Sequence, residues 1–366
     1  MAKKRKTRVR LALLCGALAV AAALILSGAV VLAAALVPIR VPHTPPAEST
    51  PRPVGTFPAK PGAADTGAEH LAIRESPVAA AGVMGPGRFE YEDQLGDEIL
   101  ARVQALRAYA AERSLAQAND ALAPFGYRLA SRSDPEGNRT SYDVYREGES
   151  EPLLSGLASI WPVSVNASGT EFVLAAENTP GARPPYVLVR NGQVDPWDPE
   201  PSGLLPPAYV GNVLARFTAS GFPTITYQVE LGSPAVHNGT AAVYTGTAMA
   251  VGAYMPLQSF TTWDGHWVLE VDDHLIMDGQ DIGQALGYNA AFGFTRIGEQ
   301  SFYFFEQDGL VRISYGDQVL PNAYEAVFHN QCCEASIHNV EAGPDAVWFH
   351  ALRKGTWYFV EASLDR

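Results

Sequence analysis

The chain has few cysteines and no cluster of them. Only three occur in 366 residues, namely Cys15, Cys332 and Cys333. Cys15 lies in an apolar run, and the side chains of adjacent extended residues point to opposite faces, so a disulfide between Cys332 and Cys333 would be strained. The sequence therefore excludes a scaffold held together by disulfides.

The body of the chain also lacks basic residues. Residues 1–40 contain seven Lys and Arg and no acid, which leaves 19 basic and 39 acidic residues in 41–366. Nucleic-acid binding needs a basic face, and adhesion to anionic lipid needs positive charge. We therefore expect no nucleic-acid partner, and we interpret the negative charge as keeping an exported domain soluble.

Common catalytic and cofactor signatures are missing as well. The sequence has no G-x-S-x-G elbow, no P-loop, no Rossmann glycine fingerprint and no H-E-x-x-H pair. No cofactor is therefore expected, and a non-enzymatic role is favoured over an enzymatic one.

The N-terminus carries a pattern typical of membrane insertion. Residues 1–10 hold six positive charges, and residues 11–37 hold none. A 27-residue helix spans about 40 Å, more than the hydrocarbon core of about 30 Å. The pattern predicts a basic cytoplasmic segment (1–10), a single-pass transmembrane signal-anchor (11–37) in the plasma membrane, and an extracytoplasmic body. The alternative is a cleaved signal peptide with Ala33 and Ala35 near the cleavage site, but its apolar region would be unusually long.

Two segments separate this anchor from the body. Residues 38–86 are rich in Pro, Ala and Gly, with eight prolines between 38 and 61, and they predict a disordered linker acting as a spacer. A recognition segment for a proline-binding module is the alternative. Residues 87–124 predict an amphipathic helix that Pro124 ends. Its apolar stripe is short, which favours packing on the body over a coiled coil; the stripe comprises Leu95, Ile99, Val103, Leu106 and Ala110.

Residues 125–366 contain short β-type runs separated by turn residues. The first strands of the apparent units lie 54, 42, 35 and 45 residues apart, when measured between Phe172, Thr226, Val268, Tyr303 and Trp348. Such spacings are typical of propeller blades. The predicted fold is mainly β, a degenerate β-propeller of about five to six small antiparallel sheets. A β-sandwich or two stacked barrels remain alternatives.

The aromatic run "SFYFFEQDGLVRISYGDQVL" (301–320) tests this fold. Strand alternation sends Phe302 and Phe304 to one face and Tyr303 and Phe305 to the other. Aromatics on both faces favour a strand packed between neighbouring sheets over an exposed ligand platform. Asp308-Gly309 then predicts the turn of a hairpin.

Residues 125–366 resemble the β-propeller-like domains, WD40- or TolB-like with degenerate repeats, of uncharacterised bacterial envelope-anchored proteins. The resemblance rests on "PFGYRL", "WPVSVNASGTEFVLAAEN", "WDGHWVLEVDDHLIMDGQDIGQALGY" and "FYFFEQDGLVRISYGDQVLPNAYEAVFHNQCC". It implies an extracytoplasmic propeller in a bacterial cell envelope and transfers no site residue. The chain departs from strict WD40 repeats, because Trp263-Asp264 precedes Gly265-His266 and occurs once.

The densest polar stretch, residues 263–283, supplies the candidates for catalysis. Asp and His side chains suit acid-base work. Asp272-Asp273 and Asp278-Gly279 fall where turns are expected, however, and such pairs are ordinary turn residues. The catalytic candidates are Asp264, His266, Asp272, Asp273 and Asp278, with His274 and Asp281 in the same stretch.

A second cluster offers ligand types that suit zinc or copper. It comprises His329, Cys332, Cys333 and His338. Adjacent cysteines are poorly placed for tetrahedral closure, so no metal is expected.

Taken together, these patterns predict a membrane-anchored extracytoplasmic binding or scaffolding protein. Its expected partners are the membrane, through 11–37, and an envelope protein or glycan. An envelope glycan hydrolase or lyase that uses carboxylates in 264–281 is one alternative, and a purely structural exported protein is another.

Overall fold

The computed structural model describes residues 71–78, 96–133, 140–198, 205–221, 224–231, 242–249, 257–316, 318–329 and 339–364. All of them belong to one unit, Pro45–Arg366. The predicted segments 1–10 and 11–37 lie outside the described residues, as do Cys332, Cys333 and His338. Within the described ranges, no helix combines the length and apolarity that a membrane span needs.

Six antiparallel sheets make up most of the described chain, and we number them in chain order. Sheet 1 contains β2 (Tyr127–Ser133), β3 (Thr140–Arg146) and β4 (Leu154–Leu157). Sheet 2 contains β5 (Ser159–Ile160), β6 (Ser164–Val165), β7 (Phe172–Glu177), β8 (Tyr186–Arg190) and β9 (Gln193–Trp197). Sheet 3 contains β10 (Ala208–Val210), β11 (Val213–Ser220), β12 (Thr224–Leu231) and β13 (Ala242–Met249).

The C-terminal half supplies the other three sheets. Sheet 4 contains β14 (Leu257–Trp263), β15 (His266–Val271), β16 (His274–Met277) and β17 (Gln280–Asp281). Sheet 5 contains β18 (Ala290–Ile297), β19 (Gln300–Gln307), β20 (Leu310–Tyr315) and β21 (Gln318–Tyr324). Sheet 6 contains β22 (Ala326–Val327), β23 (Glu341–Gly343), β24 (Ala346–Arg353), β25 (Thr356–Leu364) and, from the N-terminal side, β1 (Leu71–Pro77).

Sheets 1 to 5 pair strands that are close neighbours along the chain. The architecture is thus mainly β, with several local antiparallel sheets, and is consistent with a propeller-like fold. A sandwich would instead pair strands across the whole chain in two packed sheets. The described pairing therefore does not fit that alternative.

Tight Asx-Gly and Lys-Gly turns join many of the strands. In the Asp264-Gly265, Asp278-Gly279 and Asp308-Gly309 turns, both residues have positive φ. Two consecutive positive φ angles characterise the type I′ hairpin turn, which suits the right-handed twist of the flanking strands. The hairpin predicted at Asp308-Gly309 is confirmed, since β19 pairs with β20 across it.

The aromatic strand β19 is buried on both faces. Phe302 and Phe304 belong to a core cluster shared with sheet 6, where Phe304 meets Phe349 edge-on with ring centroids 4.8 Å apart. Tyr303 and Phe305 belong to a second cluster shared with sheet 4. The strand thus packs between neighbouring sheets, as the sequence predicts.

A long helix, α1 (Asp97–Leu122), connects sheet 6 with sheet 1. Its first half, including Val103 and Leu106, packs on Trp348 and Phe359 of sheet 6. Its second half packs on sheets 1 and 2 through Ala118 and Leu122, among others. The stripe residues Ile99, Val103, Leu106 and Ala110 therefore pack on the body, as the sequence predicts, whereas Leu95 lies outside the described residues. A 3₁₀ turn (Ala123–Phe125) ends the helix, and a short helix, α2 (Ile282–Leu286), follows β17.

The predicted linker (38–86) is wrong for Leu71–Pro77, which forms β1. This strand pairs along its whole length with β25, from Leu71 opposite Leu364 to Pro77 opposite Tyr358. Leu71 and Ile73 pack against the core cluster of sheets 5 and 6. Its alternating pattern is short and lies among low-complexity residues, so the sequence gives little indication of a strand whose partner is almost 300 residues away.

The residues between which the repeat spacing is counted do not occupy equivalent strands. They are not the first strands of their sheets: Phe172, Val268 and Tyr303 lie on β7, β15 and β19, which come second in the pairing order, whereas Thr226 lies on β12, which comes third. This difference in strand position accounts for part of the unequal spacing.

Candidate functional site

The β15–β16 hairpin divides the catalytic candidates between its two ends. Asp264, His266 and Asp278 lie at the end formed by the β14–β15 and β16–β17 turns. Asp272 and Asp273 form the β15–β16 turn at the opposite end. The six residues of β15 separate the two ends by about 20 Å. The five candidates therefore do not meet in one site.

The first end is occupied by structural contacts. Asp278 Oδ2 lies 2.7 Å from His266 Nδ1, and Asp278 Oδ1 accepts a hydrogen bond from the Trp267 N–H at 2.9 Å. Asp264 and Asp278 each hold the left-handed position of a turn, with φ of 45° and 50°. Asp and Asn tolerate this conformation better than most residues. These contacts give the residues turn-stabilising roles.

The second end brings together ionisable side chains from sheet 4 and from the segment after β22 of sheet 6, and we call it the Asp273 cluster: Glu270, Asp272, Asp273, His274, Asp281 and His329. His274 Nδ1 lies 2.8 Å from Asp281 Oδ2, and His329 Nε2 lies 3.0 Å from Asp273 Oδ1. His329 follows β22 of sheet 6, so the second pair links sheet 4 to sheet 6. The residues that form it are 56 positions apart in the chain.

His329 has hydrogen-bond acceptors at both ring nitrogens. In addition to Asp273 at Nε2, the Val327 carbonyl lies 2.9 Å from Nδ1. A neutral imidazole carries one N–H, whereas the imidazolium can donate to both acceptors. Burial lowers the pKa of His329, but Asp273, the Val327 carbonyl and the charge of Glu270 outweigh it and raise the pKa above its usual value. The ring also stacks on Phe292, with centroids 3.5 Å apart.

Asp272 and His274 titrate away from their ordinary ranges. Burial, reinforced by the neighbouring Asp273 carboxylate, raises the pKa of Asp272 to about 6, while His274 acts in the opposite direction. The hydrogen bond to Asp281 raises the pKa of His274 against the effect of burial. Asp272 therefore changes charge closer to neutrality than it would in water.

Glu270 connects the cluster to the backbone of β18. Its carboxylate is buried, with 5% of the residue exposed, and it accepts hydrogen bonds from the Gly293 N–H (2.9 Å) and the Phe294 N–H (3.3 Å). These N–H groups lie where the pairing of β18 with β19 shifts register. Burial raises the pKa of Glu270, and the two N–H groups oppose this effect. The side chain thus holds an irregular stretch of β18 beside His329.

Asp281 connects the cluster to α2 and to sheet 3. Its Oδ1 accepts a hydrogen bond from the Gln284 N–H (3.1 Å) and so caps the helix. Tyr227 on β12 is buried, and its pKa is raised by burial first and then by Tyr244, Asp281 and Asp272. Tyr227 also occupies the space a side chain at Gly246 would need, since a Cβ there would lie 2.3 Å from its hydroxyl.

The candidate metal ligands are only partly described. Both nitrogens of His329 already face oxygen acceptors, and Cys332, Cys333 and His338 lie outside the described residues. Among the described residues, no three His, Cys, Asp or Glu side chains are arranged to hold a metal ion. What the Asp273 cluster offers chemically is proton exchange near neutrality and acceptor oxygens for positively charged or N–H-bearing groups.

Two members of this environment escaped the sequence reasoning, Glu270 and Tyr227. Glu270 interrupts the apolar run Val268–Val271, and an acid at a buried strand position is a signal for a specific partner. Tyr227 looks like an ordinary strand residue. Its proximity to Asp272 and Asp281 results from the packing of sheet 3 on sheet 4, which no local pattern reveals.

Comparison with known proteins gives only distant likenesses. No protein-family model and no curated protein matches the chain. Among solved structures, it is similar to the AfRom2 CNH domain (9% identity, TM-score 0.22, covering 66% of this chain and 95% of that one). It is also similar to a prolyl endopeptidase (11%, 0.25, 80% and 59%) and to Trypanosoma rangeli sialidase with sialic acid (10%, 0.21, 64% and 49%). Likeness at this level carries no argument about function.

Proposed function

We propose that this chain is a membrane-anchored extracytoplasmic binding or scaffolding protein whose six sheets are the blades of a β-propeller. The observation that carries the proposal is the pairing of β1 with β25. The strand that follows the anchor and the proline-rich segment is an integral part of sheet 6. A pull on the N-terminal segment is therefore resisted by a full strand ladder, which suits a domain held at a membrane.

The proposed binding surface is the Asp273 cluster. It joins sheets 4 and 6, and Glu270 holds the β18 backbone beside it. The cluster holds four carboxyl groups and two histidines, and this excess of acids favours a partner that presents positive charge or N–H donors. At one end of the β15–β16 hairpin the acids stabilise turns, and at the other end Glu270 fixes the backbone beside the cluster. This arrangement suits a binding surface better than it suits a flexible catalytic cleft.

Localisation is tested with fusions to the full-length chain. Alkaline phosphatase, which is active only outside the cytoplasm, should be active when fused after residue 366, and the fusion should remain with membranes in alkaline carbonate. Replacing four leucines of 11–37 by lysine should release it, whereas four Lys substitutions within 62–65 and 67–70 should not. An inactive phosphatase, or a wild-type protein found in the soluble fraction, would refute the anchored arrangement.

The binding surface is tested separately by crosslinking in intact cells. Asp273→Asn and His329→Phe should reduce any crosslinked species, whereas Asp264→Asn, a matched change in a turn at the other end of the hairpin, should leave it unchanged. Crosslinks that survive both cluster variants would place binding elsewhere on the domain.

A second candidate, an envelope glycan hydrolase or lyase, is favoured by one observation. A carboxyl group with a pKa of about 6, as in Asp272, can donate a proton near neutrality. Asp272→Asn should then abolish turnover of envelope glycan fragments, whereas Asp308→Asn, which is also in a left-handed turn position, should not. Wild-type protein without glycan turnover would remove this candidate.

A further inference from the structure

Three aromatic side chains at sheet 2 form a cluster of their own, two on β8 and β9 and one directly after β5. We call it the Trp161 cluster: Trp161, Tyr186 and Trp197. Their ring centroids lie 5.6 to 6.2 Å apart, and all three contacts are edge-on. Each ring is half-buried. None of them belongs to the buried core clusters or packs against one. The need to fill the core therefore does not explain them.

Strand register places acidic side chains beside these rings. Tyr186 lies opposite Trp197 on one side and opposite Glu177 on the other. Asp195 is two residues from Trp197 on the edge strand β9, so its side chain is on the same face. Within the described chain, no ion pair neutralises Glu177 or Asp195; Glu177 accepts only a hydrogen bond from Ser159 Oγ, at 3.0 Å. The opposite face of the sheet, including Val187 and Val189, is buried.

Aromatic rings next to uncompensated carboxylates are the chemistry that binds proline-rich peptides. A polyproline II segment inserts its proline rings between aromatic side chains, and basic residues between the prolines pair with nearby acids. The Trp161 cluster supplies the rings, and Glu177 and Asp195 supply the acids.

The chain carries such a segment itself. Residues 45–61 contain six prolines, with Arg52 between Pro51 and Pro53 and Lys60 within the Pro58–Pro61 repeat. We infer that residues 45–61 dock intramolecularly on the Trp161 cluster, with Arg52 and Lys60 toward Glu177 and Asp195. The inference does not depend on the proposed membrane anchor or on the Asp273 cluster.

The covalent connection permits this docking. Ten residues lead from Pro61 to Leu71, where β1 begins in sheet 6, and in extended form they reach about 30 Å. Helix α1 contacts sheets 6 and 1, and β3 of sheet 1 contacts β5 of sheet 2. The path from sheet 6 through α1 and sheet 1 to sheet 2 crosses three layer spacings of about 10 Å each, which is similar to the reach of the ten residues.

The test uses fluorine NMR of the full-length chain labelled with 5-fluorotryptophan. All six tryptophans lie in described segments, so six resonances can be assigned by single Trp→Phe changes. Replacing Pro51, Pro53, Pro58 and Pro61 by Ala should shift the resonances of Trp161 and Trp197. Those of Trp263, Trp267, Trp348 and Trp357 should stay in place and thereby show that the fold is intact.

Three further measurements decide the occupant. Adding a peptide of residues 45–61 to the four-proline variant should return Trp161 and Trp197 toward their wild-type positions, and Glu177→Gln should raise the peptide concentration required. Pro38→Ala with Pro42→Ala, outside the docking segment, should change nothing.

Several results would overturn the inference. Unchanged Trp161 and Trp197 resonances in the four-proline variant would show that the segment does not dock there. If the Trp161 and Trp197 resonance positions of the wild-type protein depend on protein concentration, the docked segment belongs to a second copy of the chain. A response of both resonances to glycan fragments, without any response to the proline changes, would identify a glycan surface instead.

Discussion

His329 and Asp273 show how much a single pair of residues can connect. The two ring nitrogens face a carboxylate of sheet 4 and a carbonyl of the histidine's own segment, and the ring stacks on Phe292 of sheet 5. Because its folded-state pKa is raised, the pair stabilises the fold fully below the unfolded pKa of about 6.5 and loses that contribution as pH rises through the folded pKa.

Asp273→Asn should therefore lower the pKa of His329, since the carboxylate that favours the imidazolium is gone. The measurement is the pH dependence of the His329 ring ¹⁵N shifts. The variant should also be less stable than the wild type at pH 5.5, and the difference should narrow above neutrality. Asp264→Asn, in an equivalent turn far from His329, is the control. An unchanged His329 pKa in Asp273→Asn would contradict the pairing.

The ionised carboxylate of Asp272 is unfavourable in the folded state, so its stability contribution also falls as pH rises, over a lower pH range. A carboxyl whose folded pKa is about 6, above the unfolded value of about 4, binds its proton more tightly in the folded state. Stability is therefore lost as pH rises from about 4 to about 6. Asp272→Asn should remove this loss, so its gain in melting temperature over wild type should be larger at pH 7.5 than at pH 4.

Asp308→Asn is the matched control for this change, because Asp308 has nearly the same φ (55° against 52°) in an exposed turn. Its effect on melting temperature should be the same at both pH values. If Asp272→Asn behaves in the same pH-independent way, the raised pKa of Asp272 is not a property of the folded protein.

Among the elements, α1 is positioned by ion pairs as well as by its apolar face. Arg102 donates to both carboxylate oxygens of Glu361, at 2.9 and 2.5 Å, and Glu361 is buried. Arg107 makes a similar bidentate contact with Glu341 of β23. These ion pairs determine the position of the helix along sheet 6, which contacts between apolar residues alone would not determine.

Arg102→Gln should destabilise the domain by about 1–3 kcal/mol, since it leaves the buried Glu361 carboxylate without its partner. Arg113→Gln is the comparison. Its single contact with Asp345 is 3.4 Å long and the arginine is half exposed, so its loss should cost less than about 1 kcal/mol. Both values come from urea unfolding. Equal effects of the two changes would show that Glu361 is not held by Arg102.

The β19–β20 hairpin is the element that the sequence predicts best, and β1 is the one that it predicts worst. Alternation placed Phe302 and Tyr303 on opposite faces of β19, and Asp308-Gly309 located its turn, because both signals act between adjacent residues. β1 was missed because its identity as a strand depends on β25, and a single short apolar alternation in a proline-rich region does not specify a partner.

For the whole molecule, β1 is what joins the N-terminal side of the domain to its last sheet. Besides the strand ladder, Glu75 accepts hydrogen bonds from Tyr324 (2.9 Å) and Asn322 (3.1 Å) and forms an ion pair with Arg353. One carboxylate thus ties β1 to sheet 5 and to β24.

Glu75→Gln should loosen this junction and raise amide hydrogen exchange in β1 and β25, while exchange in sheet 3 stays as in wild type. Glu299→Gln, which removes an exposed pair with Arg296, should affect neither region. Exchange that rises equally in all sheets would mean that β1 unfolds only with the whole domain.

The sequence by itself determined what depends on neighbouring residues: the mainly β character, the hairpins with Asx-Gly turns, the two buried faces of β19 and the helix before Pro124. Tertiary structure alone decided which distant residues meet. It placed β1 against β25, separated Asp264 from Asp272, and brought His329 to Asp273 across 56 residues. Strand and turn preferences are local energies, whereas these contacts arise when whole sheets pack, which a one-dimensional pattern does not encode residue by residue.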